Sequence, residues 1–413
     1  MMKKALIICS EYPYPMNSGD KLSTNGYVLA LRKMGLSVDL LCFACKGDSE
    51  RSLEKRDLLQ NVFFVEKPPK YSFDNMMRFI FRRESFLFGR FFSRENQIKI
   101  ERILADGRYG YVVVVQTYMG QYLSEATVRR LSCPVVLSTE VLHGRALAKR
   151  AALEENSLKR KVLQIESKRA DKKEKRIVQA YDMSFFYAEE DEEHMSGVLP
   201  RERRKYINLA LDLESYTHFA RNRNGKRRSI AFYGTCSWYA NADALRYLLE
   251  KLWSEIREVC DVELHIAGRN MCPWAYDYQK SDSRIKIFGE VPSMADFVAD
   301  TDIILSPIRI GGGVRLKMIE GMMWGRPIVS TIAGVEGIAE DEDELHECVS
   351  IADDPKAFAQ AVKGLLDSEE QWQHQVDAAY RYVQKKHSID VLRRILSDIS
   401  GNVSLTKRKG DKR

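Results

Sequence analysis

The sequence predicts an α/β protein of two doubly wound, parallel-sheet (Rossmann-like) domains that face each other across a cleft. Apolar runs alternate with helically spaced segments, the pattern of parallel strands joined by crossover helices, and such a series occurs twice. Between the two series the pattern weakens over residues 208–224. A chain of 413 residues also exceeds what one hydrophobic core supports, whereas two domains of about 200 residues each are ordinary.

In the first series the strands fall at 5–9, 38–43, 62–65, 111–115, 135–138 and 183–187. These short runs are mostly apolar, as expected of strands buried on both faces. The stretch 147–178 is helical in spacing and carries mixed charge, including Glu154, Lys161, Glu166, Arg169, Lys173 and Arg176, so it reads as a solvated helix face. The second series has strands at 229–233, 262–267, 285–288, 303–306 and 327–331, with 348–351 as a further candidate. Its helices fall at about 241–259, 294–299, 314–324 and 356–366, and after Glu369 the spacing is wholly helical. The resulting division is an amino-terminal domain 1–208, a linker 209–228, a carboxy-terminal domain 229–387, a helix 388–400 and a basic tail 401–413 whose composition marks it as disordered.

With 45% hydrophobic and 30% charged residues, the composition is that of a globular protein. The first apolar run, 5–9, is too short for a signal peptide, and no stretch approaches the length of a membrane span. The expected location is the cytoplasm. Eight cysteines are scattered without the paired spacing of a zinc site or a disulfide scaffold. Cys42 and Cys45 form a CxxC at the end of a strand, where a buried strand end explains them better than redox or metal chemistry. The net charge of +7 gathers partly in the tail, and no nucleic-acid module is present. Residues 72–92 combine seven Phe with Arg78, Arg82, Arg83 and Arg90. That pattern fits a helix at the inner face of a membrane, and equally a helix docked on the domain with its arginines in solvent.

The most informative segment is 303–337, a strand-turn-helix-strand unit with Gly311, Gly312 and Gly313 where the strand meets the helix. Three glycines let backbone N–H groups approach a ligand while the helix presents its positive end, which makes an anion cradle. Arg315 and Lys317 add positive charge just beyond it. Glu320, further along the helix, is placed to accept hydrogen bonds from sugar hydroxyls. A phosphate joined to a ribose fits these groups. Glycine turns recur after the other strands of this half: Gly234 after Tyr233, Gly268 after Ala267 and Gly289 after Phe288. In a parallel sheet such turns converge on one rim, where ligands bind.

Together these residues resemble the nucleotide-binding half of a family-four glycosyltransferase of the GT-B fold. The resemblance rests on Phe232, Tyr233, Gly234, Trp238, Asn241 and Ala244, on 265–268, on 287–291, and on 311–331 followed by 334–337. It is strong over about 229–340 and loose in the first half. It implies transfer of a sugar from a nucleotide diphosphate donor with retention of anomeric configuration. It further implies that Glu320 binds the ribose, that the base rests near Phe288 and Gly289, and that the diphosphate meets the helix start with help from Arg315 and Lys317. Many members carry a second glutamate eight residues before the ribose-binding one. Gly312 stands there in this chain, leaving backbone N–H groups to hold sugar or phosphate. Acceptor binding falls to the first half, where Gly19 belongs to a polar turn after the first strand; the resemblance implies that His143, after the fifth strand, lies near the donor sugar as a catalytic candidate, with Glu140 competing for that place.

No cofactor beyond the donor is expected, and no metal. The acidic pair flanking Thr301, Asp300 and Asp302, precedes a strand and reads as a helix-ending turn, and the run 189–193 complements a helix dipole. The expected partners are a nucleotide-sugar donor and a saccharide or lipid-linked acceptor, in surface polysaccharide or glycolipid assembly, with no nucleic acid. Two alternatives stay open: a non-hydrolysing nucleotide-sugar epimerase, which shares this two-domain plan, and a nucleotide-sugar-binding subunit without catalysis.

Overall fold

The computed structural model describes residues 4–16, 18–44, 56–69, 73–220, 228–310, 316–336, 338 and 342–410. Two compact units make up the chain, Met1–Asp212 with His387–Arg413, and Leu213–Lys386.

The first unit holds a seven-stranded sheet in the order β3-β2-β1-β4-β5-β6-β7. Its strands are β1 (Lys4–Ile8), β2 (Ser37–Ala44), β3 (Asn61–Glu66), β4 (Tyr111–Val115), β5 (Val135–Ser138), β6 (Met183–Phe186) and β7 (Arg204–Tyr206), all paired in parallel. β4 lies mid-sheet and every one of its residues is buried, which is why YVVVV reads as an unbroken apolar run rather than an alternating one. The second unit holds six parallel strands in the order β10-β9-β8-β11-β12-β13. These are β8 (Ser229–Tyr233), β9 (Glu263–Ala267), β10 (Ile285–Gly289), β11 (Ile303–Ser306), β12 (Ile328–Ser330) and β13 (Ser350–Ile351). Counted from its own first strand, this sheet repeats the order of the first six strands of the other. Both sheets reverse their strand order between their first and fourth strands, β1/β4 and β8/β11, leaving room for a ligand at the carboxyl ends.

Several expectations change. The charged stretch 147–178 is not one solvated helix. It is two helices, His143–Leu153 and Ser157–Val178, broken where Asn156 caps the second by accepting from Leu158 N and Lys159 N. Two of its carboxylates point inward. Glu166 accepts from Ser85 Oγ at 2.6 Å and from the backbone of Phe86 and Leu87, and Glu174 accepts from His143 N at 2.7 Å and Gly144 N at 3.0 Å. Each carboxylate thereby satisfies the open N–H groups at the start of another helix. β7 was not expected, because three residues of alternating exposure carry no apolar run.

The boundaries also shift. Residues 209–211, expected in the linker, are packed in the first unit: Leu209 O accepts from His387 Nδ1 at 2.8 Å and Leu211 N donates to His387 O at 2.7 Å. The last helix, Ile389–Gly410, belongs to that unit as well. It lies along the helix Gly19–Lys33, joined by the Lys33–Asp390 ion pair at 3.1 Å, and Tyr111 Oη donates to Leu396 O. Helix continues to Gly410 where a disordered tail was expected from residue 401. Among the described residues no helix is long and apolar enough to cross a membrane.

Candidate functional site

The rim of the second sheet is built from backbone. Gly234 N donates to Ala267 O at 3.0 Å and Gly268 N to Gly289 O at 2.7 Å, so the ends of β8, β9 and β10 are linked in series. Gly268 has φ 151°, and a Cβ there would sit 2.0 Å from Gly234 O. Only glycine allows that approach. Gly289, at φ 67°, turns the chain in the left-handed region. Beside it Phe288 is half exposed at the end of β10, held edge-on by His265 and Phe297 with ring centroids 5.3 and 5.4 Å away. An exposed ring braced from two sides is a stacking platform.

The helix Leu316–Met323 follows β11 and directs two of the expected residues to this neighbourhood. Lys317 donates from Nζ to Asn241 Oδ1 at 3.4 Å and lies 5.0 Å from the Phe232 ring centroid. A Cβ on Gly234 would lie 2.8 Å from that same Asn241 side chain. Lys317, Asn241, Gly234 and Gly268 thus form one contiguous group at the β8/β11 reversal. Three residues on, and so on the same face of the helix, Glu320 accepts from Tyr216 Oη at 3.3 Å. Burial pushes its carboxyl up to about 7, against the lowering effect of the Tyr216 hydroxyl. Tyr233 Oη donates to Lys317 O at 2.6 Å, which fixes the helix to the end of β8. Gly311, Gly312, Gly313 and Arg315 lie outside the described residues. Nothing in the sequence pattern pointed to Tyr216, which is 104 residues from Glu320.

Asp300 and Asp302 sit at the other end of this sheet. Asp302 accepts from Ser229 N at 3.0 Å and from Trp372 Nε1 through its carbonyl, and Asp300 O accepts from Ser229 Oγ. They pin the start of β8.

The first unit's reversal point carries different chemistry. Gln116, after β4, and Glu140, two residues after β5, hold φ 77° and 56°, values uncommon for residues with a side chain. Gln116 Nε2 donates to Asp20 Oδ2 at 3.0 Å, and Asp20 opens the helix that starts at Gly19. Added space around Gly19 is open, with no atom within 4 Å of a built Cβ. Burial pushes the Glu140 carboxyl up to about 8, with the Asp20 charge adding to the rise, while Ser23 and Gln116 hydrogen bonds oppose it. Held protonated at neutral pH, Glu140 has a proton to give to a neighbouring acceptor. The ring of His143 lies edge-on to Phe88 at 6.3 Å and against Tyr118 at 5.7 Å, and burial lowers it to about 4, so it is a neutral imidazole. The structure therefore gathers Gly19, Asp20, Gln116 and Glu140, with His143 and Tyr118 beside them. Gln116 was not foreseen, since its role depends on a backbone angle and on a partner 96 residues away.

Comparison with solved structures gives the architecture. HepE from Anabaena, in complex with UDP and glucose, aligns with a TM-score of 0.62 at 10% identity over 96% of this chain and 98% of its own. A glycosyltransferase from Rickettsia africae aligns with a TM-score of 0.66 at 12% identity over 97% and 98%. S. aureus TarM, as a variant in complex with UDP, aligns with a TM-score of 0.65 at 11% identity over 98% and 100%. At such identities the likeness is one of fold, and with the two parallel sheets it makes this a GT-B protein. Residues 227–368, most of the second unit, match the family model described as Glycosyl transferases group 1. An uncharacterized 44.6 kDa protein in the cps region of Klebsiella pneumoniae is 24% identical over 376 residues, 87% of this chain and 90% of that protein.

Proposed function

We propose that the protein is a retaining glycosyltransferase that moves a sugar from a nucleotide diphosphate-sugar to a saccharide or lipid-linked acceptor without a metal ion, at the inner face of a membrane. The observation that carries this reading is the pairing of Lys317 and Glu320 on one helix face beside the glycine rim of β8 and β9, within the unit that matches a glycosyltransferase family. Support for surface polysaccharide or glycolipid assembly comes from the relative in a cps region.

In this reading the base stacks near Phe288, Glu320 accepts the ribose hydroxyls, and Lys317 meets the diphosphate with Arg315 and the 311–313 backbone. Breaking the anomeric C–O bond builds negative charge on the departing phosphate. A cation already held in place stabilises that charge more than the ground state. Lys317 is held in this way, by Asn241 and over Phe232. The Gly19, Asp20, Gln116 and Glu140 group receives the acceptor.

Labelled nucleotide sugars incubated with the full chain test the proposal. Acceptor-dependent release of nucleoside diphosphate is the expected result. Interconversion of free donor would identify an epimerase, and binding without turnover by any acceptor would identify a binding subunit.

A further inference from the structure

The helix Phe73–Phe81 is turned the wrong way for water. Phe73 is 79% exposed and Phe81 71%, and Met76, Met77 and Ile80 between them are exposed as well. At 100° per residue these five fall on one side of the helix. The inward side combines one aromatic ring with polar groups: Phe79 meets Phe86 edge-on with centroids 6.1 Å apart, Asn75 is buried and donates from Nδ2 to Phe86 O at 3.1 Å, and Arg78 is bound to Glu84 with its guanidinium 5.5 Å from the Phe92 centroid. A helix whose only partner besides its own domain is water shows the opposite arrangement.

A second element extends the surface. On the helix Ser157–Val178, Leu158 is 71% exposed, and Val162 and Ile165 follow it at the spacing of one stripe. One turn beyond Ile165 on that stripe, Arg169 donates to Phe79 O at 2.7 Å and lies 4.4 Å over the Phe79 ring. The stripe and the helix Phe73–Phe81 are therefore neighbours. Around them Arg82, Arg83, Lys159, Lys161 and Lys168 are exposed.

We propose that these two helices form a docking surface for a membrane containing anionic lipid. An apolar face rimmed by arginine and lysine matches an acyl boundary below negatively charged headgroups. The core of a protein interface, by contrast, is depleted of charge and of lysine. The proposal gives the inner-face placement above its residues, and it stands without glycosyl transfer, because lipid binding needs no sugar nucleotide.

Flotation of the full chain with vesicles of phosphatidylcholine, alone or mixed with phosphatidylglycerol, tests it. The chain is expected to float with the anionic vesicles and to be released by salt. Phe81→Ser and Leu158→Ser should each lower partition by about tenfold, since both side chains are exposed in the free protein and buried when docked. Arg82→Gln should lower it by about fivefold. Both serine variants should keep the parent's melting temperature. Failure to float with either vesicle, or flotation unchanged in both serine variants, overturns the proposal. So does self-association of the chain that the same variants abolish while vesicles capture nothing. Nucleoside diphosphate binding is measured on the same preparation: normal binding with no flotation removes the docking surface alone, and flotation without such binding removes the transferase reading alone.

Discussion

After β8 and β9 the chain turns through Gly234 and Gly268, where an added methyl group would collide with the Asn241 side chain and with the Gly234 backbone respectively, whereas after β4 and β5 it turns through Gln116 and Glu140, which keep their side chains at φ 77° and 56°. The two pairs of turns flank the strand-order reversal of their sheets from opposite sides, since β8 and β9 stand where β1 and β2 do, and β4 and β5 where β11 and β12 do. In the second unit the space at the reversal is left to backbone donors and one positioned cation, Lys317. In the first it is filled with hydrogen-bonding side chains around a carboxyl raised by burial. In the proposed function one framework serves two kinds of recognition, backbone and charge for an anion, side-chain donors and acceptors for hydroxyls. The difference resides in which residues the strand ends carry, not in the fold.

The largest effect should come from the cation. Lys317→Ala is expected to lower kcat by about ten- to a thousandfold, and steady-state kinetics on a mutant of unchanged melting temperature would show it. Next is the close approach: Gly268→Ala places a Cβ 2.0 Å from Gly234 O. It should destabilise the second unit by about 1–3 kcal/mol and weaken nucleotide binding, as read by thermal shift with and without nucleoside diphosphate. The corresponding experiment in the first unit, Gln116→Gly, relieves a strained backbone angle and should leave nucleotide binding as it was.

Smaller effects follow from the raised carboxyls. Glu320 rises to about 7, and its ionised form is the better acceptor of ribose hydroxyls. The KM for donor should therefore fall as pH passes upward through about 7, and Glu320→Gln should raise KM and remove that dependence. Glu140 holds its proton in the folded state up to about pH 8, against an ordinary value of 4.5. Between these values the folded state binds one proton more than the unfolded chain, so this group makes stability fall as pH rises. Urea denaturation across that range should show a flatter pH profile for Glu140→Gln, with the variant gaining most near pH 8.

Much of the fold was legible because parallel sheets buried on both faces write each strand as a short apolar run. The strands at 111–115, 135–138, 229–233 and 303–306 fall where that signal places them. β7 escaped because an edge strand of three residues has no such run. Charge misled at Glu166 and Glu174, where the sequence shows a charged helix and the structure shows carboxylates closing the ends of other helices. Part of the site was legible for a local reason: glycine turns, Lys317 and Glu320 lie within short motifs. The Gln116–Asp20 and Tyr216–Glu320 contacts join residues far apart in sequence and leave no local mark. The outward apolar face of Phe73–Phe81 was visible as composition, but its direction required the buried Asn75.

The claim on which the rest depends is that the second unit's reversal point binds a nucleotide diphosphate through Lys317. Calorimetric titration of the full chain with nucleoside diphosphates measures this directly. Saturable binding of at least one of them is predicted, intact in Glu140→Gln and weakened at least about tenfold in Lys317→Ala. Binding equally tight in Lys317→Ala, or no binding of any nucleoside diphosphate, would contradict it.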